Sequence, residues 1–291
     1  MYLKQRFFLF AIPFLLLACE ETNTTTFSKL PSSNLNQDSS TNQQESHVEK
    51  IYFNVPSTMK TAYILKKAGA TYDASFPLNP NKANDDFTTE QQALLLGIYG
   101  SDLNYTIVSN KNQETIYYLN SINSLGEKLG LGNILNQEMK NRIEKNVNSK
   151  DSMQVIITDL FWKIEQSLNE DGRSRIGALI VAGGWIEGLY VATQIAIKMP
   201  ENIKIKSIIC QQKFSSKDVL ELVKNSCSSE YISDVVLRPL KQINASLSKI
   251  KTRKEFYSSE LNIDENDMII DNNVINEITT IIEQIRDDIT H

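Results

Sequence analysis

From about residue 51 onward, apolar residues recur three and four apart in one segment after another, the spacing of an amphipathic helix. The first run opens at Pro56-Ser57 and carries Met59, Ala62, Tyr63, Leu65 and Lys66 toward Ala68-Gly69-Ala70, where it ends. Residues 71–86 hold Pro77, Pro80 and several Asn and Asp, so they read as a loop. Thr88 or Thr89 can cap the next helix, with Glu90 near its positive end. Leu94, Leu95, Ile98, Leu103 and Ile107 continue it. Further helices are expected over about 112–129, 134–146, 151–168 and 173–199, the last stopped by Pro200. Ile203-Lys204-Ile205-Lys206 alternates, but no partner strand is in view, so a short helix is the better reading. Helices over 216–224 and 231–250 follow. Pro239 should kink or shorten the latter, since it removes a backbone hydrogen bond. The basic run 249–254 reads as a solvated face and 258–268 as an acidic, Asn-rich loop. Val274, Ile278, Ile281, Ile282 and Ile285 mark a final helix. The chain is therefore expected to be all-α: one domain of eight or nine helices over residues 51–291.

The first fifty residues follow a different pattern. Lys4 and Arg6 precede an uncharged apolar run from Phe7 to Leu17. That run is too short for a hydrocarbon core of about 30 Å but suits the middle of a secretory signal. Leu16-Leu17-Ala18-Cys19 resembles the lipobox of bacterial lipoproteins. The resemblance implies removal of residues 1–18, diacylglycerol on the Cys19 thiol and a further acyl chain, such as palmitate, on its new amine. Each buried CH₂ contributes about 0.8 kcal/mol, so two or three chains hold firmly where one does not. Glu20-Glu21 resembles the surface-export signal of Bacteroidetes lipoproteins, which leaves an outer-membrane anchor facing either the periplasm or the cell surface. Residues 19–50 are almost all Glu, Thr, Asn, Ser and Gln. They bury too little apolar area to offset chain entropy and read as a flexible tether, with a reach of about 30 Å.

Composition narrows the chemistry. The chain is 41% hydrophobic, with 30 basic and 35 acidic residues. Losing residues 1–18 removes Lys4 and Arg6 and no acid, leaving 28 basic against 35 acidic. Such a balance argues against nucleic acid as a partner. His47 lies in the tether and His291 at the terminus, so a His-activated nucleophile is not expected, nor is a zinc site. No phosphate-binding glycine loop or dinucleotide fingerprint is present. No cofactor and no metal are expected. The acidic stretch 264–271 lacks the glycine and ligand spacing of a calcium loop. Cys210 and Cys227 either pair or stay as two buried thiols; spacing does not decide.

Two segments stand out. Ala93–Tyr105 and Ala178–Tyr190 align without gaps at an offset of 85, setting Asp102 against Glu187 and Tyr105 against Tyr190. Each is an apolar helix holding one acid, with a Tyr three residues on along the same face. Each also carries glycines in the helix body, Gly97 and Gly100, then Gly183, Gly184 and Gly188. Glycine costs about 1 kcal/mol there relative to Ala, so close packing or a ligand should compensate. A buried carboxylate needs partners, and Tyr hydroxyls, Asn104 or Arg173 could supply them. Two arrangements satisfy these facts. In one, the helices cross tightly and their acids bond backbone or Tyr groups. In the other, a pocket lined by Tyr99, Asp102, Tyr105, Trp185, Glu187 and Tyr190 takes a small polar molecule such as a sugar.

With the lipobox, the Pro56-Ser57 opening, Leu96–Tyr105 and Gly183–Tyr190 taken together, the sequence resembles a group of all-helical Bacteroidetes lipoproteins. The resemblance implies a helical fold and a cell-envelope address. It implies no activity and no catalytic residues. Asp151-Ser152-Met153 resembles the Bacteroidetes O-glycosylation triplet, but the triplet is short and a helix N-cap is the favoured reading of the same residues. The leading expectation is a non-enzymatic, lipid-tethered module that binds a small polar ligand or a surface protein partner. A scaffolding lipoprotein without a pocket is the alternative. A glycosidase is a third reading and would need Asp102 and Glu187 about 5–9.5 Å apart across a substrate.

Overall fold

A computed structural model describes residues 58–226, 229–252 and 268–290. The lipobox, Cys19, the tether with His47, Cys227, most of the 264–271 stretch and His291 lie outside them. Among the described residues the domain is all-α, as the periodicity predicts, with nine α-helices. They are α1 (Thr58–Lys67), α2 (Thr89–Val108), α3 (Asn112–Lys128), α4 (Gln137–Asn146), α5 (Lys150–Glu170), α6 (Ser174–Lys198), α7 (Ile203–Ser226), α8 (Arg238–Ser248) and α9 (Asn272–Thr290).

Helices α2 and α6 form the centre. Every residue of α2 from Ala93 to Val108 is buried. Helix α6 is long and apolar enough to cross a membrane by length and composition, yet 83% of its most apolar stretch is buried inside the domain. A helix that is apolar all round belongs in a core or a bilayer, and here the surrounding helices supply the core. The other helices pack around this pair and bury one face each. On α9 that face is Ile275, Ile278, Ile282, Ile285 and Ile289.

The central pair explains its glycines. A Cβ on Gly97 would lie 1.9 Å from the Ile180 carbonyl oxygen and 2.7 Å from the Gly184 nitrogen. One on Gly183 would lie 2.1 Å from the Leu94 oxygen. The two backbones therefore touch, which only residues without side chains permit. Leu94 meets Gly183, Gly97 meets Gly184, and Ser101 meets Gly188, so contacts climb both helices together and the helices run parallel. The two segments that resemble each other in sequence thus pack on each other near the register of their alignment.

Several local details differ from the sequence reading. Thr88, not Thr89, caps α2 through a reciprocal pair with Gln91. The cap of α5 is Ser149, so Asp151-Ser152-Met153 lies in the first turns rather than at the cap. Ile203–Lys206 is the opening of one long helix that runs on through 216–224, because Ile205, Ile208 and Ile209 bury on its inner face. The expected helix over 231–250 is shortened in its α-helical part to Arg238–Ser248, at Pro239. Pro239 sits in the first turn of α8, where a missing N–H costs nothing, and a π-helical turn over Ile232–Leu237 precedes it. Lys251–Thr252 and Met268–Ile269 pair as a two-residue antiparallel ladder, which reassigns part of the expected basic face and acidic loop. The Cys210 thiol is free and buried, and burial pushes it up to about 12.

Candidate functional site

The crossing of α2 and α6 has two faces. On one face Asp102 and Glu187 have no exposed surface at all. Asp102 Oδ2 accepts the Leu78 N–H at 3.0 Å. Among the described residues its other oxygen and both oxygens of Glu187 find no amide or hydroxyl donor, although they are fully buried. What Asp102 meets there is the carboxyl of Glu187. Burial first, and the neighbouring Glu187 charge second, push the Asp102 carboxyl well above its ordinary value. Burial also raises Glu187, while Arg286 and the bond to Asp102 hold it down. Burial and the mutual repulsion of two carboxylates therefore favour a single negative charge on the pair over two.

Arg286 of α9 balances that charge. Its Nε lies 2.7 Å from Glu187 Oε2, off the N–H axis, so the contact is an ion pair rather than a directed hydrogen bond. Its guanidinium lies 3.7 Å above the ring centre of Tyr190 and donates to the Phe76 carbonyl at 3.1 Å. Burial alone would lower the Arg286 pKa, but the adjacent carboxyls outweigh it and the net shift is upward. Arg286 was not among the partners the sequence suggested. Asn104 turns instead to Thr58, and Arg173 precedes the first turn of α6. A signal for Arg286 did exist: it falls four residues after Ile282, on the apolar face of α9, where a cation needs a buried partner.

The segment between α1 and α2 closes this face. Gly69 turns the chain at φ +95°, and Phe76, Ala83 and Phe87 anchor the segment in the core. Its backbone is held by side chains from below. The Tyr105 hydroxyl donates to the Thr71 carbonyl and accepts the Asp73 N–H. Tyr118 donates to Leu78, Tyr99 to Asn79 at 2.8 Å, and Ser121 to Pro80. Lys198 pairs with Asp73 and lies over the Phe76 ring. The loop thus has its polar backbone satisfied although much of it lies against the core.

These positions sort the six expected ligand-binding residues. Tyr99, Asp102 and Tyr105 bond the loop directly. Glu187 and Tyr190 act on it through Arg286. Trp185 belongs to the other face, where its Nε1 donates to Ser215 of α7 at 2.9 Å. Of the two arrangements the sequence left open, the sealed face has the geometry of the first: tightly crossed helices whose acids bond backbone. A glycosidase pair also needs room for a sugar between its carboxyls, and these two are in contact under a closed loop.

The second face is open. A cleft of about 230 Å³ lies on the seam, between α1 and α5. Gly97, Gly100 and Gly184 form its floor, and Phe161, Ile180 and Trp185 stand among its walls. Asn104 also lines it and is 3% exposed. Its Nδ2 donates to Thr58 Oγ1 at 2.6 Å, and among the described residues its Oδ1 has no partner. Sequence reasoning named Trp185 and Asn104 but assigned neither to this face, because the chain does not reveal which side of a helix crossing is roofed. Among the described residues no cluster of His, Cys, Asp and Glu is arranged to hold a metal ion. No protein-family model, no curated protein and no solved structure matches the chain.

Proposed function

We propose that this chain is a cell-envelope lipoprotein, anchored in the outer membrane through acyl chains on Cys19, whose helical domain is a non-enzymatic binding module that takes its ligand in the cleft between α1 and α5. The observation that carries the binding role is the buried, half-satisfied carboxamide of Asn104 facing an open cavity. An orphaned buried polar atom costs about 1–3 kcal/mol, which a ligand atom in that position would relieve. The anchor draws on Lys4, Arg6, the apolar run and Leu16-Leu17-Ala18-Cys19. Docking of a protein partner is the second reading. It draws on Val155 and Trp162, both more than half exposed and two turns apart on α5, flanking the cleft residue Thr158.

The anchor is tested by intact mass and fractionation. The protein extracted with detergent should start at Cys19 and carry acyl mass, and Cys19→Ser should move it to the soluble fraction. An unmodified chain beginning at Met1 and recovered from the cytosol would contradict the proposal.

A further inference from the structure

We infer that the cleft selects a slim, uncharged ligand: an apolar body with a single hydrogen-bonding head group at its inner end. This rests on the reading of the cleft as a binding site and adds the chemical class. The walls are apolar, with Met59, Ile157, Phe161, Val181 and Trp185 among them. The Phe161 ring packs directly on Gly100, where a Cβ would come within 2.5 Å of it, so this wall sits tight against the floor and keeps the cleft narrow. The volume of about 230 Å³ admits a short chain or one ring, less than the roughly 300–1,000 Å³ of a drug-sized site.

Asn104 defines the head group. Only one side of its carboxamide is engaged, by Thr58. Turning the amide over would exchange oxygen and nitrogen and still leave one without a partner. A hydroxyl meets either orientation, because it donates and accepts. Charge defines the rest. Among the described residues the lining contains no Lys, Arg or His, and its single ionisable side chain is the acid Glu165. A carboxylate or phosphate seated against these walls would meet no counter-charge and would lose its hydration. An ammonium group driven down to Asn104 would lose hydration for one amide contact.

The test uses the mature chain carrying Cys19→Ser, which needs no detergent, and Trp162→Phe, which leaves Trp185 as its single tryptophan. Hexanol, fluorohexane, hexanoate and hexylammonium are titrated against Trp185 fluorescence. Saturable change with hexanol is expected, weakened about tenfold or more by Thr158→Phe, which fills the mouth from an exposed position. Fluorohexane, lacking the hydroxyl, should bind about tenfold more weakly, the scale of one hydrogen bond. Asn104→Leu should remove that difference. Both charged chains should bind more weakly still. Hexanoate or hexylammonium binding as tightly as hexanol, or hexanol binding no better than fluorohexane, would overturn the ligand class while leaving the cleft a binding site. No saturable response to any of the four, or one that Thr158→Phe leaves unchanged, would overturn the binding site itself.

Discussion

The two faces of the α2–α6 crossing are made from the same short stretches of sequence and do opposite things. On the roofed face the buried acids lack a full set of hydrogen-bond donors but are sealed against an opposite charge. Asp102, Glu187 and Arg286 balance one another, and the tyrosines hold the loop that covers them. On the open face a single amide is left half-bonded beside a cavity. Acids and aromatics inside an apolar helix therefore do not by themselves identify a site. What separates the two faces is where the buried polar atoms without a hydrogen-bond donor lie: against an opposite charge under a closed loop, or beside a cavity that a ligand could enter.

The largest effect should come from breaking the charge balance. Arg286→Met leaves Glu187 buried and unpaired and should cost about 3–5 kcal/mol in chemical denaturation. The loss should shrink as pH falls, because a proton on Glu187 removes the unpaired buried charge. Equal loss at every pH would show that the ion pair does not carry the effect. Next comes the backbone contact itself. Gly97→Ala drives a methyl into the Ile180 carbonyl and should cost about 3 kcal/mol by overpacking. Gly188→Ala makes the instructive contrast, since its Cβ would meet Ser101 Oγ at an ordinary 3.7 Å. It should be neutral or stabilising by up to about 1 kcal/mol through helix propensity. If both glycines behave alike, the close crossing is not what retains them.

The roof should respond more gently. Tyr99→Phe leaves the Asn79 carbonyl without its donor and should cost about 1–2 kcal/mol. Faster amide exchange confined to residues 70–87 is the expected signature. Uniform loss of protection across the domain would mean that the loop is not held as a unit.

Much of this was legible in the chain. The all-α class, the caps near Thr88 and the apolar centre follow from periodicity and from runs with no polar face. The glycines of the two aligned segments announced a close approach, and Gly97 meets Gly184 while Gly183 meets the Leu94 backbone. Arg286 and the roof were harder, for a physical reason. Arg286 reaches Phe76 across 210 positions, and the tyrosines reach loop carbonyls 20 to 40 positions away. Periodicity encodes which face of a helix is buried. It carries nothing about which distant loop lies over that face, so the six candidates could be seen as polar core residues without being sorted between a roof and a cleft. At 203–226 helix was expected at both ends and only the join was missed, because Ile205, Ile208 and Ile209 continue one helical face across the expected break.

The smallest change in stability should accompany Asp102→Asn. The amide can still accept from Leu78 and donate to Glu187, as the protonated acid does, so the cost at pH 7 should stay within about 1 kcal/mol. The pH dependence should differ more. A carboxyl raised in the folded state holds a proton that the unfolded chain releases, so its contribution is complete in acid and declines as pH rises above about 4 toward the folded value. Asp102→Asn should flatten that decline. Asp73, Asp159 and Glu277 shift the other way, losing their contribution as pH falls below about 4, but they titrate in exposed, solvent-screened positions.

The shared proton beneath the roof is most directly visible in isotope-edited infrared spectra of aspartate-labelled protein, with Asp102→Asn as the subtraction control. At pH 7 the difference spectrum should contain the carbonyl stretch of one protonated carboxylic acid. A spectrum holding only carboxylate bands at pH 5 to 7 would show both acids ionised and would contradict the account of this face as a closed, internally balanced unit.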